Sequence, residues 1–168
     1  MKVAKTIRHK ILNHASIFDE TIRVYNEALS FIIEVIDQEV EYVDAYSTKE
    51  MTNLIERLIH ATKSNPNPKY TEFNQRFYKF PSYFRRAAIA TAFGKVKSYR
   101  SLRENWETEK QVALENGRKF NKQPPTKQLT HKEFPVLYKG NMFKRTSDTT
   151  ACIKAFVKND WVWVDVVF

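Results

Sequence analysis

Cysteine is nearly absent. Cys152 is the only one in 168 residues, so no intramolecular disulfide or zinc knuckle can form, which suits a reducing compartment. Glycine is almost as scarce. The chain carries three, too few for the Gly-rich loops that cradle phosphates or dinucleotides. No apolar run approaches the ~20 residues that cross a bilayer. The opening Met1-Lys2-Val3-Ala4-Lys5 lacks the apolar stretch and cleavage site of a secretory signal. These absences predict a soluble, cytoplasmic protein with no membrane partner. His9, His14, His60 and His131 are scattered, and His9 and His14 miss the i, i+4 spacing of a helical metal pair. No metal or cofactor is expected. Cys152, between Ala151 and Ile153, reads as a small buried hydrophobe rather than a nucleophile.

What the chain does carry is positive charge. The formal net charge is +9 and the pI about 9.6, which calls for a polyanionic partner. With 42% hydrophobic and 28% charged residues, the composition is that of a folded chain. The charge is also polarised. Residues 16–56 hold ten acids against two bases, Arg23 and Lys49. Residues 76–122 reverse this, with twelve bases against four acids. A charge serving only solubility would be spread evenly.

The apolar pattern divides the chain. Residues 2–8 alternate as a short strand would. From Ser16 to about Tyr42 the spacing is helical, with Ser16 as N-cap and Asp19 and Glu20 in the first turn. Ser47 and Glu50 form a capping box for a helix running to about Ala61. A third helix is predicted over Thr71–Tyr78. A long fourth opens with Pro81 in its first turn and runs from Ser82 to Trp106 or Glu115, with Gly117 as its stop. Arg118–Lys127, holding Pro124-Pro125, reads as a linker. Beyond Phe134 come short runs rich in Val, Phe, Tyr and Trp: 136–138, 142–144, 151–157 and 161–168. Gly140-Asn141 and Lys158-Asn159-Asp160 separate them as hairpin turns. Helices and strands segregate, so the fold class is α+β. The simplest arrangement inserts the helical block into a small β-unit built from both chain ends. A terminal strand ending Val166-Val167-Phe168 would be an aggregation hazard if left bare, so more protein is expected to cover or follow it.

On a helical wheel of the long helix, Phe84, Ala88, Ala92, Tyr99, Leu102 and Trp106 share one side, the expected core face. The opposite side carries Tyr83, Arg86, Ala90, Gly94, Lys97, Arg100 and Ser101. Small residues there let a phosphate backbone approach and the cations neutralise it. Tyr83 can stack on a base or ribose.

The run Phe80-Pro81-Ser82-Tyr83-Phe84-Arg85-Arg86-Ala87-Ala88-Ile89, with Gly94-Lys95-Val96-Lys97-Ser98-Tyr99-Arg100-Ser101, resembles a stretch near the N-terminus of TnpB-family proteins. These are transposon-encoded, RNA-guided relatives of the type V CRISPR effectors. Residues 19–30 resemble that family's first recognition-lobe helix. Ile153–Val157 and Trp161–Val164 resemble its wedge-domain strands. The resemblance implies a β-barrel-like wedge domain, residues 1–13 and 131–168, interrupted by a helical recognition domain, residues 14–130. It implies partners in structured RNA and duplex DNA. In such systems base pairing supplies sequence while the protein reads backbone, shape and a short motif. The residues expected on nucleic acid are Arg76, Tyr83, Arg85, Arg86, Lys95, Lys97, Arg100 and Arg103.

One departure matters. In the family, the metal-holding carboxylates of the RuvC nuclease lie beyond the wedge strands, and the sequence here stops at Phe168. The expectation is therefore a non-catalytic module: a truncated piece, a broken gene or a split subunit. The alternative is an interaction module in which the acidic helix 16–42, through Phe31, Ile32 and Val35, docks a separate RuvC half or a second copy.

Overall fold

The computed structural model describes residues 8–128 and 130–168. A 3-10 turn, Ala15–Phe18, leads into helix α1, Asp19–Glu39. After a second turn at Val43–Ala45 come α2 (Thr48–Ile59), the short α3 (Glu72–Arg76) and the 34-residue α4 (Ser82–Glu115). Three strands follow: β1 (Phe143–Arg145), β2 (Thr150–Val157) and β3 (Asp160–Val167). The mixture of helices and a separate antiparallel sheet is α+β.

Local chemistry explains the helix ends. Ser16 does not cap α1. It lies inside the 3-10 turn, its carbonyl accepts from Asp19 N–H, and the helix continues from that turn with no side-chain cap. Asp19 and Glu20 still favour the positive helix start. The helix stops at Glu39, short of Tyr42, because Val40 is extended. The Ser47–Glu50 capping box is present and reciprocal: Glu50 N–H donates to Ser47 Oγ, and Ser47 N–H to Glu50 Oε2 at 2.8 Å. Pro81 sits one residue ahead of the first turn of α4, as its N-cap. Gly117, at φ 64°, ends α4 in a Schellman motif, with its own N–H on Leu114 O and Arg118 N–H on Ala113 O. The helix predicted over 71–78 is shorter, because the chain turns at Phe77 and at Lys79, where φ is 55°.

The core forms between α1 and α4, with α2 against α4. Tyr25, Leu29, Ile32 and Ile36 meet Phe84, Ala88, Ile89 and Ala92, and Met51, Ile55 and Ile59 close the third side. An aromatic run, Phe31, Phe73, Phe77, Phe80 and Phe84, continues through edge and tilted contacts to Trp161 of β3. Trp161 thereby ties the sheet to the helices. Phe31, Ile32 and Val35, the residues expected to dock a partner, lie in or against the chain's own core.

The expected core face of α4 holds only through Val96. Beyond it, Leu102 is 55% exposed, and Tyr99 and Trp106 are half-buried. What covers this half is chain from residues 118–128 and 130–139, which folds back as a strap. Trp106 Nε1 donates to Lys122 O at 2.8 Å, and Phe120 packs on the indole with ring centroids 5.6 Å apart. The strap then meets α1, where buried Asn26 grips Glu133 twice, Oδ1 accepting from its N–H (2.8 Å) and Nδ2 donating to its carbonyl (2.9 Å). The strand expected at 136–138 is therefore extended chain alternating inward and outward, without a strand partner.

The sheet has order β1-β2-β3, antiparallel throughout and open. Lys158 (φ 50°) and Asn159 (φ 63°) form the two-residue loop joining β2 to β3, with Val157 paired to Asp160. Two positive φ values in succession define a type I′ turn. One sheet face buries Ala151, Ala155, Val164 and Val166 under Ile11, Ile17 and Phe18. Both ends of the described chain meet at β3. Leu12 N–H donates to Val167 O (2.8 Å), and the Asn13 side chain bonds Val167 N–H and Asp165 O. Residues 8–13 form no strand, and most of the strand expected at 2–8 lies outside the described residues.

Candidate nucleic-acid interface

The eight residues predicted to meet nucleic acid fall into two groups. Arg85, Lys95 and Arg100 are anchored. Arg85 is 6% exposed, and its guanidinium lies 3.3 Å from Glu56 of α2. Burial pulls its pKa below the ordinary arginine value, against the pull of Glu56. Lys95 pairs with Glu133 of the strap at 2.8 Å. Arg100 closes the end of α1, donating to the carbonyls of Val40 and Glu41 at 2.6 Å each and to Asp37 Oδ1 at 3.2 Å. Cations suit a helix C-terminus, where carbonyls lack intrahelical partners. Asp37 also receives Lys127. Burial works to raise the Asp37 pKa, but the hydrogen bonds from Lys127 and Arg100 outweigh it and hold the carboxyl below its usual range.

Arg76, Arg86, Lys97 and Arg103 are half-exposed, each with a carboxylate in reach: Glu27 at 3.6 Å, Glu56 at 3.5 Å, Asp44 at 2.8 Å and Glu107 at 2.8 Å. Surface ion pairs like these contribute little to stability, so a phosphate can exchange for the carboxylate at low cost. Tyr83 is half-buried, packed against Tyr138 (5.3 Å between centroids) with Arg86 5.8 Å above its ring. The space over Gly94 is open, with nothing within 4 Å of where a Cβ would stand. A basic, locally open helix face is thus present, most of its cations tethered to the acidic block, with Lys95 held by the strap and Arg103 by α4 itself.

The sequence reading missed this tethering. The signal was available in the ten acids of residues 16–56, but which of them reach α4 depends on how α1 and α2 pack. It also missed a cleft of about 470 Å³ between α1, α4 and the strap, walled by Asp37, Lys95, Lys127, His131 and Glu133. His131 Nδ1 is buried there without a hydrogen-bond partner among the described residues, and burial with nearby Lys95 lowers its pKa. Cys152 is half-buried rather than fully so. Its thiol donates to Asp165 Oδ1 at 2.7 Å, which with burial raises its pKa. Among the described residues no group of three His, Cys, Asp or Glu side chains is placed to hold a metal, and no helix is long and apolar enough to cross a membrane.

Fold and site together define an α+β protein in which a long basic helix lies against an acidic one and a small antiparallel sheet caps the pair. The chain belongs to the Aq_aa04 family, whose model matches residues 5–157. No curated protein and no solved structure matches it.

Proposed function

We propose that this chain is the nucleic-acid-binding module of a TnpB-like, RNA-guided transposon-associated protein and is not itself catalytic. The helical block would serve as recognition lobe and the sheet, with the N-terminal segment along β3, as part of a wedge unit. The observation that carries the reading is that residues 82–103 of α4 hold six bases and no acid, with Arg86, Lys97 and Arg103 exposed and weakly paired, on the stretch that carries most of the TnpB resemblance. At 1.5 Å per residue this helix is about 50 Å long, enough to track a nucleic-acid backbone across more than a helical turn. Arg86, Lys97 and Arg103 neutralise phosphates, with Arg76 at the flank and Tyr83 available to stack. Arg85, Lys95 and Arg100 support that face by fixing α4 to α2, to the strap and to α1.

The test is equilibrium binding to a structured RNA from the gene's own 3′ flank, a scrambled RNA and a duplex DNA, each at two salt concentrations. An Arg86→Glu, Lys97→Glu, Arg103→Glu variant runs alongside, leaving the anchoring Arg100 intact. The cognate RNA should bind best, and the variant should lower the salt slope by about 2 to 3, near 0.7 per phosphate contact on single strands and 0.9 on duplex. Weak, equal binding to all three ligands, unchanged in the variant, would reject the proposal.

A further inference from the structure

We propose that the open face of the sheet around Trp163 is a stacking platform for a single-stranded nucleic acid, with Lys144 and Lys154, both on the β2 side of the ring, holding the phosphates next to the stacked base. The inference rests on the nucleic-acid reading above but places contact on a surface the α4 argument does not touch.

β3 carries two tryptophans on one face, and they have opposite fates. Trp161 is 7% exposed and spends its ring on Phe80, Phe84 and Phe156. Trp163, two residues on, is 39% exposed, and among the described residues no aromatic ring packs against it. Its neighbours are cations instead. Lys154 is its direct cross-strand partner on β2, with the ammonium 5.6 Å from the ring centroid. Lys144 reaches over from β1 to 4.4 Å. Among the described residues neither lysine has a carboxylate at ion-pair distance, whereas Arg86, Lys97 and Arg103 of α4 each do. These two lysines are thus free to meet a phosphate without first releasing an acid.

The chemistry favours a single strand. A stacked base needs its π-face uncovered, which a duplex denies. Any base has such a face, so one tryptophan on a shallow sheet is a sequence-tolerant site. A base that stacks must displace an ammonium from the ring, but that ammonium then takes the adjoining phosphate and keeps an anionic partner. Asp165 is the carboxylate on the same face, two residues along β3, and it accepts the Cys152 thiol. It repels phosphate along β3 and so turns the strand off the Trp163 ring across β2, toward Lys154 and Lys144.

The test uses the full chain and labelled oligo-dT and oligo-U of roughly ten nucleotides, within the length such sites cover, beside a duplex DNA. Trp163→Ala should weaken single-strand binding about tenfold while changing duplex binding less than about twofold. Trp163→Phe should retain most of the affinity, which separates stacking from damage to the sheet, and circular dichroism should match wild type for both. Lys144→Ala and Lys154→Ala should each lower the single-strand salt slope by about 0.7. If wild type binds the oligonucleotides and Trp163→Ala binds them equally well, the platform is refuted and the α4 reading stands. If wild type binds no nucleic acid at all, both fall.

Discussion

At the scale of single residues, the cations of α4 differ in role although the sequence writes them alike. Arg100 takes four oxygen acceptors at the end of α1, so Arg100→Met should cost about 2 kcal/mol in denaturant unfolding, the range for hydrogen bonds to charged groups. Asp37 gives this corner a pH dependence. Its folded pKa lies below the usual carboxylate value, so its contribution is complete above about pH 4 and is lost as pH falls through the folded value. Asp37→Asn should lower the melting temperature at pH 7 and flatten its decline on the acid side. A variant that declines in acid as steeply as wild type would remove Asp37 from the account. Arg85 is the buried member of its pair with Glu56, so removing Glu56 leaves the guanidinium unpaired inside. Glu56→Leu alone should destabilise by about 3 kcal/mol, and Glu56→Leu with Arg85→Leu should recover much of that loss. Exposed Arg86, which also leans on Glu56, should show little change in the same assay when mutated to Ala.

At the scale of elements, most of what depends on local chemistry was readable in the sequence, Ser16 as the cap of α1 being the exception. The capping box at Ser47, the stop at Gly117 and the turn at Lys158-Asn159 each follow from residue types at fixed spacing, and each is present. The turn leaves room for improvement, because lysine at φ 50° is strained and asparagine-glycine suits a type I′ loop. Lys158→Asn with Asn159→Gly should stabilise by about 1 kcal/mol, seen as about 2–4 °C in melting temperature for a chain of this size. A fall in melting temperature would mean the loop is held by something other than its backbone preference. What the sequence could not show depends on tertiary packing. Helical periodicity continues past Val96, so Tyr99, Leu102 and Trp106 read as core, but α1 ends at Glu39, and Tyr99 and Leu102 meet it only across an open cleft. The strap covers them only in part. Its apolar run at 136–138 predicts a strand, yet what holds the chain just ahead of it, at Glu133, is the Asn26 side chain, and no periodicity rule anticipates a side chain in that place.

At the scale of the whole molecule, the polarised charge was plain in the sequence, but its consequence was not. The acidic and basic blocks face one another, so the acids of residues 16–56 act as built-in competitors for the cations of α4: Glu56 for Arg85 and Arg86, Asp44 for Lys97, Asp37 for Arg100. Glu107 does the same for Arg103 within α4. A polyanion binding this face must exchange phosphates for carboxylates, which moderates affinity and keeps the free protein from self-repulsion. The arrangement makes a prediction opposite in sign to an ordinary loss-of-function scan. Asp44→Asn and Glu107→Gln remove competitors without touching a cation. Each should tighten binding of structured RNA about two- to fivefold at low salt, with the gain shrinking as salt screens the carboxylates. Glu72→Gln, a carboxylate outside these pairs, is the control for net charge alone. Equal gains from all three variants would mean that only total charge matters. A gain confined to Asp44 and Glu107 would place the nucleic acid on the exposed face of α4, because only a ligand competing for Lys97 and Arg103 senses those two acids individually.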